Sequence, residues 1–181
     1  MNHLKQIQQA IETAGAHRAA IVSQADIVYD PVFRDICASN ACGMYGRCHM
    51  CPPDVGTIDE LIAQAKEYPY GVLYQNVYTI EDSFDIEGMI EAKAAHSAFT
   101  RRIDAMRAGD SLHLGAGGCG VCERCAKRDG LPCRFPEQAL PSMEAYGVDV
   151  YHTAENAGMK YINGANTITY FSLLLFRSAE N

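Results

Sequence analysis

The sequence has little positive charge and no long apolar segment. Only 15 of its 181 residues are Lys or Arg, against 22 Asp and Glu, which gives a formal net charge of -7 at pH 7. Its short basic pairs, Arg101-Arg102 and Lys127-Arg128, are typical of solvated surface charges, and they do not form the basic stripe of a nucleic-acid binder. The most apolar late segment, 168–176, falls well short of the roughly 20 residues of a membrane helix. Neither a nucleic acid nor a membrane is therefore expected as a partner.

The sequence also lacks an apolar leader, a low-complexity run and the common nucleotide-binding or hydrolase motifs. Residues 1–11 follow an amphipathic pattern without a cleavage signal, so we expect no signal peptide and a cytoplasmic location. A core of this size buries roughly 70% of the unfolded surface. We therefore predict a single domain over 1–181 that folds without cross-links.

What the sequence does contain is eight cysteines, grouped in two blocks. Cysteines that are buried as ordinary core residues would be scattered singly along the chain. Disulfides are rare in a reducing compartment. Clustered cysteines in such a chain favour metal binding. The predicted metal-binding loops are residues 37–53 and 115–136, and the predicted ligands are Cys37, Cys42, Cys48, Cys51, Cys119, Cys122, Cys125 and Cys133.

The spacing of the second block favours an iron–sulfur cluster. Cys119, Cys122 and Cys125 repeat the Cys-x2-Cys turn, which places thiolates on one side of a tight loop. Bacterial ferredoxins use the same three-cysteine core, although Cys133 does not match their fourth position. Zinc sites more often pair two Cys-x2–4-Cys hooks across a longer loop. Zinc stays open as an alternative, above all for the first block, where Cys48-x2-Cys51 ends in Pro52-Pro53.

The two blocks together resemble a family of short bacterial and archaeal proteins described as predicted metal-binding proteins of unknown function. The resemblance rests on Y-G-R-C-H-M-C-P-P in the first block, and on C-G-V-C-E-R-C-A-K-R-D-G-L-P-C-R-F-P with the following S-M-E-A-Y-G-V-D-V in the second. It extends from about Cys37 to Gly158. The resemblance implies cysteine-ligated metal of the iron–sulfur kind, with the same eight cysteines as ligands, and no established reaction.

The remaining sequence alternates helical and extended patterns, which predicts a layered α/β domain around one mixed sheet, with α+β as the alternative. A capping box opens a helix at Thr57 that runs to about Glu67, and Ile86 to Met106 marks a long helix. The predicted strands are 19–22, 71–80, 111–115, 148–151 and 167–176, the last buried on both faces. Helical turns are expected at 141–146 and 153–158.

Three functions fit these patterns. The first is an iron–sulfur protein with two [4Fe-4S] clusters that acts in electron transfer or as an accessory redox protein. The second is an iron–sulfur enzyme in which a three-cysteine cluster leaves one iron open to a small molecule. The third is a zinc-binding structural module. A redox partner protein or a small-molecule substrate is implied without being identified, and the oligomeric state is not indicated.

Overall fold

A four-stranded sheet organises the chain, with strand order β1-β2-β4-β3. The structure is a computed structural model that describes residues 2–107 and 109–178. Its strands are β1 Arg18–Ser23, β2 Tyr70–Thr79, β3 Ser111–Leu114 and β4 Thr167–Phe176. Its α-helices are α1 Asn2–Thr13, α2 Val32–Ala38, α3 Ile58–Lys66, α4 Ile86–Asp104 and α5 Val150–Asn156. Short 3₁₀ turns occupy Ala126–Asp129, Pro136–Gln138 and Glu144–Tyr146.

The α/β class is confirmed, but the sheet is antiparallel rather than mixed. All three strand pairings, β1 with β2, β2 with β4 and β3 with β4, are antiparallel. The helix α4 connects β2 and β3, which run in the same direction. The strand β4 lies between those two strands, however, and pairs with each in the opposite direction. The order of strands along the chain did not reveal this insertion.

Both faces of the sheet are buried. On one face, α1 and α4 pack on the strands through Leu4, Ile11, Phe99 and Ile103. On the other face, α3 and α5 pack with the segment around Met143. Every residue from position 171 to 176 in β4 is buried, which confirms the prediction that this strand has two buried faces.

A polar chain runs through the layer between α4 and the sheet. His96 bonds Asn76 through Nδ1 at 3.1 Å and Ser172 through Nε2 at 2.9 Å. Because Asn76 presents its carbonyl oxygen, Nδ1–H donates to it. Burial favours the neutral ring, in which Nε2 accepts from the Ser172 hydroxyl. His113 is arranged similarly, bonded to Asp104 at 3.0 Å and to the hydroxyl of Tyr74 at 2.8 Å.

Local signals predicted most helix boundaries. The capping box is present: the Thr57 side chain accepts from the Glu60 amide, and the Glu60 carboxylate accepts from the Thr57 amide. The strand predicted at 148–151 is wrong, because Asp149 accepts from the His152 amide and starts α5 there. The turn predicted at 153–158 therefore lies in and just beyond that helix, and α2 was not predicted. No helix within the described ranges is long and apolar enough to cross a membrane.

Candidate metal centre

The first cysteine loop begins on a helix and continues as a series of tight turns. Cys37 lies in the last turn of α2. Gly43 and Gly46 follow with left-handed φ values of 70° and 65°, and the Gly46 amide donates to the Pro52 carbonyl at 2.9 Å, which closes the loop. Cys42 is exposed, whereas Cys48 and Cys51 are buried.

The second loop is anchored to the sheet at its base. Gly115, directly after β3, donates to the Pro141 carbonyl at 2.8 Å and accepts from the Met143 amide at 3.0 Å. Beyond this anchor, Cys119, Cys122, Cys125 and Cys133 are all half-buried. The loop therefore presents its sulfur atoms from a rigid edge of the fold.

Five cysteines line one cavity of about 20 Å³, and they come from both loops: Cys48, Cys119, Cys122, Cys125 and Cys133. Contacts across the loops hold them together. The His49 ring bonds the Leu131 carbonyl at 2.9 Å, and Lys127 pairs with Asp54. The two blocks are thus one composite site.

Cys48 lies beside Cys119 of the second loop and Cys51 of its own loop, and its interaction with each thiol shifts its pKa. Its pKa is raised to about 11: the bond with Cys119 opposes the rise, while the bond with Cys51 and burial produce it. The bond with Cys48, together with burial, also raises the pKa of Cys119, whereas the bond from Cys48 lowers the pKa of Cys51.

The other cysteines of the first loop lie on the far side of Cys51. Burial, then the charges of Glu144 and Cys42, raise the pKa of Cys37. The charges of Cys42 and Cys37 in turn oppose the lowering of the Cys51 pKa. These three thiols are therefore close enough to interact, and they form a second sulfur group beside the five-cysteine cavity.

Backbone amides point at several of these sulfur atoms. Val121 and Leu140 donate to Cys119, Met50 donates to Cys48, and the amide of Cys119 donates to Cys51. Such bonds favour the thiolate, which is the form that binds metal. They also tune the potential of a cysteine-ligated cluster.

The donor set around this cavity is all sulfur. Across 2–107 and 109–178, no three His, Cys, Asp or Glu side chains converge closely enough to hold one metal ion. Thiolates are the usual ligands both of structural zinc and of iron–sulfur clusters.

Two histidines near the cysteines do not point to ligation. His113 is 1% exposed and has both ring nitrogens bonded. His49 is half-buried, and its ring bonds a backbone carbonyl. Sequence reasoning missed Glu144, because no local pattern marks it. The charge of Glu144 raises the pKa of Cys37, although the two residues lie more than 100 positions apart in the sequence.

A comparison with models of protein families shows to which family the chain belongs. The family described as "Predicted metal-binding protein (DUF2284)" matches residues 20–176. The chain belongs to this family. Its membership confirms the resemblance seen in the two cysteine blocks, and it supports metal binding without identifying the metal. Comparisons with curated proteins and with solved structures gave no match.

Proposed function

We propose that this family member is a cytoplasmic iron–sulfur protein that holds two adjoining [4Fe-4S] clusters and acts in electron transfer. The observation that supports it best is the composite site, in which five thiols from two loops line one cavity and three more lie beside it. An all-sulfur donor set of this kind is typical of iron–sulfur ligation.

The simplest division of ligands follows the two loops. Cys119, Cys122, Cys125 and Cys133 would hold one cluster, and Cys37, Cys42, Cys48 and Cys51 the other. Cys48 and Cys119 then mark the contact between the two centres. When bound, the clusters would supply sites that store and pass single electrons.

The chain's own residues would set the potential and the access to solvent. Amides of Val121 and Leu140 stabilise negative charge on Cys119. Val121, Phe135 and Ala139 line the cavity beside the cysteines and limit its contact with water. Both effects adjust the potential of a cysteine-ligated centre.

The test is to purify the protein without oxygen, record its visible and electron paramagnetic resonance spectra, and measure iron, sulfide and zinc per chain. We expect a brown protein with about eight irons and eight sulfides. Each single Cys→Ala change should remove about four irons. Ser39→Ala, a change in the same block at an exposed side chain that bonds the Ile36 carbonyl of its own helix, should remove none.

Other outcomes separate the alternatives. A colourless protein with only zinc would refute the electron-transfer proposal and leave a structural module. If one Cys→Ala variant keeps its full iron content, that cysteine is not a ligand, and the three-cysteine enzyme replaces the two closed clusters. Cys48 is the most informative position, because it contacts both sulfur groups.

A further inference from the structure

One face of α4 lies against the glycine-rich start of the second loop, residues 115–120. Lys93, Ser97 and Arg101 share this face at four-residue intervals and line cavities next to the loop. The Lys93 ammonium donates to the Gly118 carbonyl at 3.2 Å. Gly117 has a left-handed φ of 62°, which favours glycine, and a Cβ atom there would lie 3.1 Å from Lys93 Cε.

The cavity between Arg101 and the loop has the features of an anion site. It has a volume of about 30 Å³ and is lined by Ser97, Arg101, Gln138 and the backbone of 115–120. Within 2–107 and 109–178, Arg101 makes no ion pair or hydrogen bond, although it is half-buried. The amides of residues 116–118 and 120 also have no partner in the same ranges. Unpaired amides and a guanidinium together favour an oxyanion.

A larger cleft adjoins this cavity around the same loop. Ala116 and Gly117 line both spaces, and the cleft has a volume of about 450 Å³. This volume is within the usual range for small-molecule sites, roughly 300–1,000 Å³. Its wall includes Tyr161, which lies parallel to Phe171 with ring centroids 5.7 Å apart. The cleft therefore offers an apolar, partly aromatic surface next to the anion site.

Glu144 adds an unpaired acceptor to the cleft. Its side chain lines the cleft, and its Oε2 atom is buried without a hydrogen-bond partner in the described part of the chain. A buried carboxylate oxygen without a partner is costly, so a ligand that donates a hydrogen bond would bind favourably there.

Only the loop backbone separates this site from the cysteines. A Cβ atom at Gly118 would lie 3.5 Å from Cys51 Sγ, and Cys119 itself lines the smaller cavity. The charge of Glu144, which lines the cleft, raises the pKa of Cys37. A molecule bound here would lie directly beside the composite cysteine site.

We propose that this continuous site binds a small amphipathic carboxylic acid that carries a hydroxyl or amino group. Arg101, Ser97 and the loop amides bind the carboxylate. The apolar body lies against Tyr161 and Phe171, and the donor group bonds Glu144. The proposal goes beyond electron transfer, and it makes the protein a receptor for a defined class of small molecule.

The test is calorimetric titration of the full, anaerobically purified chain with 4-hydroxybenzoate, 4-aminobenzoate, benzoate and phenol. We expect both substituted acids to bind more tightly than benzoate, and phenol to bind at least about tenfold more weakly than 4-hydroxybenzoate, because it lacks the group that meets Arg101. Arg101→Gln should weaken both substituted acids about tenfold or more. Arg102→Gln is the matched control, since Arg102 is exposed and stacks on Phe99 away from the site. Glu144→Gln should reduce the preference for the substituted acids over benzoate.

Failure of binding by all three acids at several millimolar would overturn the proposal, as would equal losses in the two arginine variants. Metal content, measured on each sample, keeps the two proposals apart. A zinc-loaded or metal-free chain that still binds these acids supports this site and refutes electron transfer. A chain with full clusters that binds none of the three acids refutes this site and supports electron transfer.

Discussion

His96 should make the fold sensitive to acid. Its side chain is 1% exposed, and burial lowers its pKa from 6.5 to about 4. Protonation at Nε2 would also displace the hydrogen bond that Ser172 donates to it. Because the folded state binds this proton more weakly than the unfolded chain, His96 stabilises the fold fully above pH 6.5. That stabilisation is lost progressively as the pH falls from 6.5 to about 4.

The magnitude follows from the shift. A difference of about 2.5 pKa units corresponds to about 3 kcal/mol of unfolding free energy between neutral pH and pH 4. About 2 kcal/mol of this is lost by pH 5. Such a loss is a large share of the stability of an ordinary domain.

The assay is urea unfolding at a series of pH values from 8 to 5, followed by circular dichroism. His96→Gln lowers stability at pH 8, because the glutamine cannot reproduce both ring contacts, but its stability should fall less steeply with acid than that of the wild type. His152→Gln is the control: bonding to Asp149 raises the pKa of the exposed His152, so its small contribution has the opposite sign. Parallel pH curves for the wild type and His96→Gln, at equal metal content, would refute the reasoning.

Three further changes test the packing and the site. Thr57→Ala removes the hydrogen bond that the Thr57 hydroxyl accepts from the Glu60 amide, and it should cost about 1 kcal/mol in urea unfolding. Thr79→Ala, outside any helix start, should not reproduce the loss. Gly71→Ala should lower the free energy of unfolding by about 1–3 kcal/mol, because its Cβ would lie 2.8 Å from Leu175 Cδ2 and 3.0 Å from the Leu174 carbonyl oxygen. An unchanged unfolding midpoint would show that the strands separate easily. Tyr74→Phe should lower the free energy of unfolding by about 1–3 kcal/mol, because it leaves His113 Nε2 without its donor. If the same change has no effect in a variant that already carries His113→Leu, the hydrogen bond is confirmed as the cause.

Local sequence patterns predicted those parts of the fold that depend on neighbouring residues. Thr57 and Glu60 revealed a helix start because the two groups lie within one turn. The residues from 167 to 176 revealed a strand with two buried faces because both sets of alternating positions are apolar. Asp149 was missed as a cap because the β-branched residues beside it favoured a strand over 148–151.

The composite site depends on contacts between residues that lie far apart in the sequence. The eight cysteines and their grouping in two blocks were visible from spacing alone. That Cys48 lies in one cavity with Cys119, more than 70 positions away, depends on the anchor of Gly115 to 141–143 and on the contacts between the loops. Arg101 was interpreted as a solvated charge, since nothing in the sequence places α4 against the glycine-rich loop.

The central position of β4 has a consequence for the order in which the protein matures. Along the described chain, β3 pairs with no strand but β4, and β4 also separates β2 from β3. On the ribosome, β3 and the second cysteine loop that follows it are made before the strand that fixes them. That loop has no stable base until 167–176 has left the exit tunnel. We therefore expect the second loop to acquire its final shape only after β4 has paired with β3, and the thiols of a nascent chain stalled before β4 to be accessible to oxidants and to proteases.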